Sequence, residues 1–409
     1  MKHLSIDIET KSSIDIGKAG LYRYAQSKDF EILLFAYRYD RGDVQIIDLA
    51  LGENMPDVVL DDLKNPDVVK HAYNAAFEWY CLNRAGYTTP LEQWKCTMIH
   101  GLYCGYTAGL DATGKAIGLP QDKRKLTTGK ALIRYFCTPC KPTKNNGNRI
   151  WNLPKHAPEK WELFKEYCQQ DVVTESAILA RLNAFPVPEE EEKLWQMDVR
   201  MNAFGVKVDA DLIYGALQIN EMSENVLEYE AKEVTKLDNP NSAVQLLNWI
   251  HGKGVEMNNL QKATVAEKLS GDLPDDVRRA LEIRQQLGKT SIKKYTAMCV
   301  AKGKDNRVRG LTQYYGANRT GRWAGRLVQM QNLPRNYIKT LDYARKLVKD
   351  RNYHGIKILY GNVPDTLSQL IRTAFIPSKG NKFVVADFSA IEARVIAWLA
   401  GETWVNEVF

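Results

Sequence analysis

The chain has 409 residues and no apolar run long enough to cross a bilayer, which takes roughly 20 consecutive residues. Its start, MKHLSIDIET, carries an acid at position 7, inside what would be the apolar stretch of an export signal. Both absences point to a cytoplasmic protein with no membrane partner. Cysteine is scarce, with 7 residues in the whole chain, which fits free thiols in a reducing compartment. Cys137 and Cys140 have C-x-x-C spacing, but no second such pair exists. A structural zinc needs four ligands, so the pair reads as two thiols in a turn beside Pro139. Internal repeats and low-complexity tracts are also missing. Charge of one sign does not dominate either: 56 Lys and Arg face 49 Asp and Glu, a net of +7. That balance permits a polyanionic partner without requiring one.

What is present is the composition of a globular protein, 44% hydrophobic and 26% charged. The length exceeds what one core supports, so two or three domains are expected. Residues 3–8 alternate, with Leu4, Ile6 and Ile8 on one face and Ser5 and Asp7 on the other, followed by Glu9. The pattern predicts a half-buried strand. Glu31–Tyr39 and Val44–Leu49 read as two more strands around an Asp40-Arg41-Gly42 turn. Asp67–His71 reads as a fourth strand and Ala75–Arg84 as a helix, so a mixed sheet with helices on it is expected. Leu110–Cys137 is helical with glycine breaks, Pro139–Pro154 a loop or small hairpin, and Pro158–Asn183 a strong helix. Pro186 and Pro188, followed by Glu189–Glu192, form the best linker candidate. Glu190–Phe204 is an amphipathic helix stopped by Gly205, and helices dominate to about Val300. Ala301–Arg309 reads as a hairpin-like loop. Lys382–Ala386 (KFVVA) reads as a buried strand ending at Asp387, with a helix over Ser389–Ala400.

Asp7 and Glu9 stand two apart on a strand, so both point to one face. Such a pair can hold divalent cations through oxygen ligands, though two acids on a solvated face would look the same. Glu78 follows in Asn74-Ala75-Ala76-Phe77-Glu78, at a strand-to-helix junction. Asp171 closes Tyr167-Cys168-Gln169-Gln170-Asp171, four residues after Tyr167 and on its helix face. In this order D-x-E-T, N-x-x-F-E and Y-x-x-x-D resemble the DEDD 3′→5′ exonucleases of the tyrosine subclass. The resemblance implies a ribonuclease-H-like fold and two Mg²⁺ or Mn²⁺ ions held by Asp7, Glu9, Glu78 and Asp171. It implies that Tyr167 orients the attacking water, and that Thr10, Asn74 and Phe77 position the terminal nucleotide. Outside that resemblance, Asn74 would be a helix cap and Phe77 a core residue. One departure is Glu78, where the family usually has Asp. Its carboxylate still ligates, one methylene further out.

A second set of motifs lies downstream. Thr320-Gly321-Arg322 and Gln331-Asn332-Leu333-Pro334, then Asp387-Phe388-Ser389-Ala390-Ile391-Glu392-Ala393-Arg394, resemble segments of family-A DNA polymerases of the phage type. The last is similar to polymerase motif A. The resemblance implies a palm metal ligand at Asp387 and contacts to the incoming nucleotide from Glu392 and Arg394. It implies that Arg319, Thr320, Arg322, Arg326 and Arg335 meet primer-template phosphates, and that Gln331 and Asn332 reach sugars and minor-groove edges. Lys289, Lys293 and Lys294, on or just after a thumb helix, are phosphate contacts on this reading and an ordinary solvated face on the bland one.

The expected class is α/β (α+β): a ribonuclease-H-like exonuclease over 1–186, a helical thumb region over 187–310 and an incomplete palm over 311–409. The expected partner is DNA, both primer-template duplex and single-stranded 3′ end, in the cytoplasm of a bacterial or phage-infected cell. Fingers and a second palm Asp lie outside this sequence. The chain alone is therefore expected not to polymerise, and a separate C-terminal chain is one way to complete it. Two other readings stand beside this one: a free-standing 3′→5′ exonuclease with a duplex-binding remnant, and a non-catalytic DNA-binding subunit.

Overall fold

The computed structural model describes residues 2–107 and 109–408. The chain divides into two compact units, Met1–Phe375 and Ile376–Phe409.

The first unit begins with strand β1 (Lys2–Lys11), helix α1 (Ile16–Ala25), β2 (Glu31–Tyr39) and β3 (Gln45–Asp48). Helix α2 (Asp57–Lys64), β4 (Val68–Ala72), α3 (Ala76–Arg84) and β5 (Trp94–Cys96) follow. The five strands form one sheet in the order β3-β2-β1-β4-β5. β1 runs antiparallel to β2 and parallel to β4, so the sheet is mixed, as the strand–helix alternation predicts. Leu4, Ile6, Ile8 and Phe35 pack into one core with α2 and α3 residues such as Val59 and Leu82.

The chain continues through α4 (Thr97–Tyr103), α5 (Leu110–Ala116), α6 (Gly129–Phe136) and the 25-residue α7 (Pro158–Leu182). Pro158 at the first helical position has φ ready for the helix and no N–H to orphan. Trp161, Phe164, Cys168, Val172, Ile178 and Leu182 then recur at helical spacing and are buried, one apolar stripe of an amphipathic helix. That stripe packs on Leu34 and Ala36 of β2, which stand opposite Glu9 and Asp7 in the ladder. The half-buried reading of β1 is therefore corrected. Both of its faces are covered, because α7 lies on the face that the alternation assigned to solvent.

After Pro188, helix α8 (Glu189–Phe204) opens with four glutamates in its first turn, where the helix dipole favours negative charge. Gly205 stops it at φ 69°. A Cβ there would meet the Val308 carbonyl oxygen at 2.6 Å, so the position tolerates no side chain. β6 (Val206–Lys207), α9 (Ala210–Thr235), α10 (Ala243–Gly252), α11 (Lys262–Leu269), α12 (Asp275–Leu287) and α13 (Lys293–Ala301) follow. Then come β7 (Arg307–Val308), the hairpin β8 (Thr312–Ala317) and β9 (Arg322–Gly325), and α14 (Leu341–Lys349), α15 (Tyr353–Tyr360) and α16 (Val363–Leu370). One core joins residues on both sides of position 310, from Leu212 and Tyr295 to Leu367 and Ile371.

The second unit contains α17 (Ile391–Ala400) and α18 (Thr403–Val408). Its Lys382–Ala386 segment corrects the sequence reading, since it forms no strand and Val384 and Val385 are 84% and 91% exposed. Three β-prone residues, Phe383, Val384 and Val385, become a strand only with a neighbour to pair with, and the described residues supply none. Among the described residues, no helix is long and apolar enough to cross a membrane.

Candidate active site and nucleic-acid interface

The sheet and α7 bring the first set of motif acids together. Carboxylate oxygens of Asp7, Glu9 and Asp171 lie within 4.8 Å of one another. Glu9 and Asp171 are buried and Asp7 half-buried. A register shift between Glu9 and Thr10 marks a bulge in the β1–β2 ladder beside the acids, after which pairing resumes at Thr10 and Ile32. Glu78 sits in the first turn of α3, also buried. The solvated-acid reading thus fails for Glu9, Glu78 and Asp171 alike.

Burial raises the carboxyl of Asp7 well above the usual range, and Asp171 raises it further while Lys125 pulls it down. Glu9 is raised by burial first, then by Asp7 and Asp171. Glu78 is raised by burial, then by Asp7. Asp171 is raised by burial against the opposing pull of Lys125. Glu78 Oε2 and Asp171 Oδ1 are buried with no hydrogen-bond partner. Orphaned carboxylate oxygens in a cluster of like charge fit a hard divalent cation, which takes oxygen ligands and removes the repulsion. Asp7, Glu9 and Asp171 could share such an ion, while Glu78 stands outside that group of three and near enough for Asp7 to raise its carboxyl.

Tyr167 reaches the same cluster from one turn before Asp171, close enough for that carboxylate to act on its phenol. Burial, then Asp171, raises the phenol far above its ordinary value, so it stays protonated as a donor. The ring stacks on Phe164 at 6.2 Å between centroids. Gly129 lies close to it, and a Cβ there would come 2.0 Å from the ring's Cε2.

Thr10 is buried, its hydroxyl 2.8 Å from that of Tyr24. Asn74 is exposed and adopts φ 77° in the turn from β4 into α3. The cap position of α3 is Ala75, without a side-chain cap bond, so Asn74 is not the helix cap of the bland reading. Phe77 is half-buried against Tyr24, 6.5 Å between ring centroids.

Sequence reasoning missed three neighbours of this centre. Lys125 forms an ion pair with Asp171. Cys168 lies 3.5 Å from Asp7 Oδ2. Glu175 is buried on α7 and accepts from Thr97. Cys168 and Glu175 could have been found one helical position from Asp171 on the stripe. Nothing in the local sequence distinguishes Lys125 from other loop lysines.

The downstream motif residues gather elsewhere in the first unit. Arg319 and Thr320 are exposed in the turn of the β8–β9 hairpin, and Arg322 opens β9. Arg326 donates through Nε to Gln313 Oε1 at 2.8 Å. Gln331 and Asn332 occupy a short turn, Met330–Asn332, exposed on one side. Buried Asp198 of α8 anchors the hairpin by accepting from Thr312 Oγ1 at 2.6 Å and Trp323 Nε1 at 2.9 Å. Of the three lysines, Lys289 pairs with Asp365 at 2.5 Å and Lys294 donates to the Val328 carbonyl at 2.6 Å. Lys293 is exposed. Lys289 and Arg335 share a cleft of about 840 Å³ with Lys262 and Arg284, two cations the sequence reading passed over. In the second unit Asp387 is exposed and ends no strand, Glu392 lies in the first turn of α17, and Arg394 Nε donates to the Ser389 carbonyl at 2.9 Å.

Fold and site define a mixed α/β chain with a buried carboxylate centre and a separate basic region of hairpin and helices. No family model matches the sequence. The chain is 54% identical, over 410 aligned positions, to the DNA polymerase of Bacillus phage SP02. The alignment covers all of this chain and 63% of that protein. The chain is thus a homologue of a phage DNA polymerase and spans less than two thirds of its length. Among solved structures, the POL domain of Pol1 from M. smegmatis, in complex with DNA primer-template and dNTP, matches with a TM-score of 0.50. That match covers 96% of this chain and 62% of the other at 16% identity, a likeness of fold.

Proposed function

We propose that the sheet-bearing part of the chain is a 3′→5′ exonuclease that trims DNA ends, within a polypeptide of the family-A DNA polymerase kind. The observation that carries the nuclease reading is the convergence of Asp7, Glu9 and Asp171 with oxygens within 4.8 Å. Their motifs lie more than 160 residues apart, and a solvated-surface origin would not bring them together. When bound, Mg²⁺ or Mn²⁺ supplies Lewis acidity for in-line phosphodiester hydrolysis. The chain's own residues do the rest. The four acids fix where the cations sit. Tyr167 keeps its proton and presents a hydroxyl donor that orients the attacking water. Asn74, exposed beside Glu78's helix, meets the terminal nucleotide, with Phe77 behind it.

The polymerase half of the proposal rests on the phage homologue and on the order of the T-G-R, Q-N-L-P and Asp387 segments. On this reading Arg319, Arg322 and Arg335 neutralise duplex phosphates. In the second unit Phe383, Val384, Val385, Phe388, Trp398 and Leu399 are 51–91% exposed. So large an apolar surface is characteristic of a unit that other polypeptide covers.

The test is metal-dependent release of nucleotides from a 3′-labelled strand. Asp7→Ala/Glu9→Ala abolishes release while duplex binding survives. Equal release by the double variant would sink the site assignment.

A further inference from the structure

One cation reaches the acidic centre from outside the motifs. Lys125 lies in the segment between a short turn, Gln121–Lys123, and α6. Its ammonium pairs with Asp171 and sits 4.6 Å from the Tyr167 ring centroid. The backbone around it is pinned to α7. Gln170, next to Asp171, donates to the carbonyls of Asp122 at 2.9 Å and Arg124 at 3.1 Å. Arg124 in turn donates from Nε to the Leu119 carbonyl at 2.7 Å. The Lys125 side chain is nonetheless 27% exposed, against 6% for Asp171, and it has a flexible four-carbon stem. It is therefore fixed at its root and movable at its tip.

The charge arithmetic gives this a purpose. Buried carboxylates that crowd one another are costly unless a cation stands among them. Lys125 is the positive group that acts on Asp7, Glu9 and Asp171 together. It supplies one positive charge where a divalent ion supplies two, and it engages the same Asp171 carboxylate.

We propose that Lys125 is an internal counter-ion of the carboxylate centre, holding the place of a divalent cation on Asp171 and yielding that place when the cation binds. The inference rests on the nuclease reading and adds a competitor to its metal site. Lysine and metal repel each other, so removing the lysine charge tightens metal binding. The metal has to displace the Lys125–Asp171 ion pair, and a displaced pair worth about 1.4 kcal/mol is a tenfold change in affinity, so a gain of about tenfold or more is expected.

The test is Mn²⁺ binding to the full chain, read as loss of the free-ion signal in electron paramagnetic resonance. Lys125→Met, which keeps the stem and removes the charge, binds Mn²⁺ about tenfold or more tightly than the parent. It also unfolds at lower temperature than the parent in chelator, and saturating Mn²⁺ closes that gap. Lys125→Arg keeps the charge and stays near the parent affinity. Equal or weaker Mn²⁺ binding by Lys125→Met overturns the role of Lys125 and leaves the nuclease site standing. No Mn²⁺ binding by either protein overturns the nuclease reading and this inference with it. A second measurement needs no variant: acetylation of Lys125 in the parent chain, followed by mass spectrometry. Mn²⁺ raises its extent if the ammonium is released, and an unchanged or lower extent overturns the proposal.

Discussion

Gly129→Ala puts one methyl group against Tyr167, and the structure says how badly it fits. The added Cβ would lie 2.0, 2.5 and 2.7 Å from Cε2, Cζ and Cδ2 of the ring. Ordinary carbon contacts are about 3.5–4.0 Å, so ring and helix must separate by roughly 1.5 Å. The ring is itself packed. It backs onto Phe164, which is fully buried and stacked on Phe136 at 5.5 Å. Overpacking of this kind costs about 1–3 kcal/mol. Replacing a helical glycine returns at most about 1 kcal/mol of propensity, and less at the first residue of α6. The net loss is therefore about 1–2 kcal/mol, which urea unfolding resolves. The larger effect falls on chemistry. Cζ carries the hydroxyl, and a misplacement of about 1 Å costs on the order of 10²-fold in rate. Single-turnover release from a 3′-labelled strand should fall by that factor. Because the damage acts through the hydroxyl, Gly129→Ala combined with Tyr167→Phe should be no slower than the slower single variant. Gly252→Ala, with no atom within 4 Å of the added carbon, is the control: its release rate is unchanged and its stability is not lowered, gaining at most about 1 kcal/mol. A Gly129→Ala protein with parental rate and stability would refute the argument that this glycine sets the position of Tyr167.

Other outcomes follow from the same geometry. Gly215→Ala places a Cβ 2.1 Å from the Val348 carbonyl oxygen; α9 and α14 must part, and thermal unfolding should report a loss of at least about 1–3 kcal/mol, whereas an unshifted midpoint would mean the two helices are not held this close. Glu9 has a raised carboxyl, so its folded form binds protons that the unfolded chain has released. Its contribution to stability is full below the ordinary carboxylate range, about pH 4, and is lost as pH rises through the folded value. In chelator, Glu9→Gln should therefore outlast the parent at pH 8 by a margin that shrinks toward pH 5. Comparing the two proteins removes the opposite slope of buried His71, whose imidazole is lowered to about 3, and a pH-independent margin would contradict the shift. Duplex binding should weaken steeply with salt, and Arg319→Ala should lower the slope of log K against log salt by about one; an unchanged slope would remove Arg319 from the phosphate contacts.

Much of this was legible in the residues themselves. Alternation placed β1, an apolar run bounded by the Asp40-Arg41-Gly42 turn placed β2, and the Pro158 start, helical stripe and Pro186–Pro188 stop placed α7 to within a residue or two. These signals are local, because periodicity and proline chemistry act within a few residues. The spacing of Asp7 with Glu9, and of Tyr167 with Asp171, was local in the same sense. It said which side chains share a face and nothing about what covers that face.

What covers a face was decided by tertiary structure alone. β1 reads as half-solvated until α7, more than 140 residues later, lies across it. Lys382–Ala386 reads as a buried strand, and without a pairing neighbour among the described residues it forms no strand and stays exposed. Lys125 looks like any loop lysine until Gln170 pins its segment beside Asp171. Lys289 looks like a phosphate contact until Asp365 appears opposite it. The sequence by itself determined the chemistry on offer, four acids, a tyrosine and a set of arginines in a telling order. Only the fold determined the electrostatics, because burial and charge proximity depend on residues far apart in the chain. It buried those acids together, raised their proton affinity, and set one lysine among them.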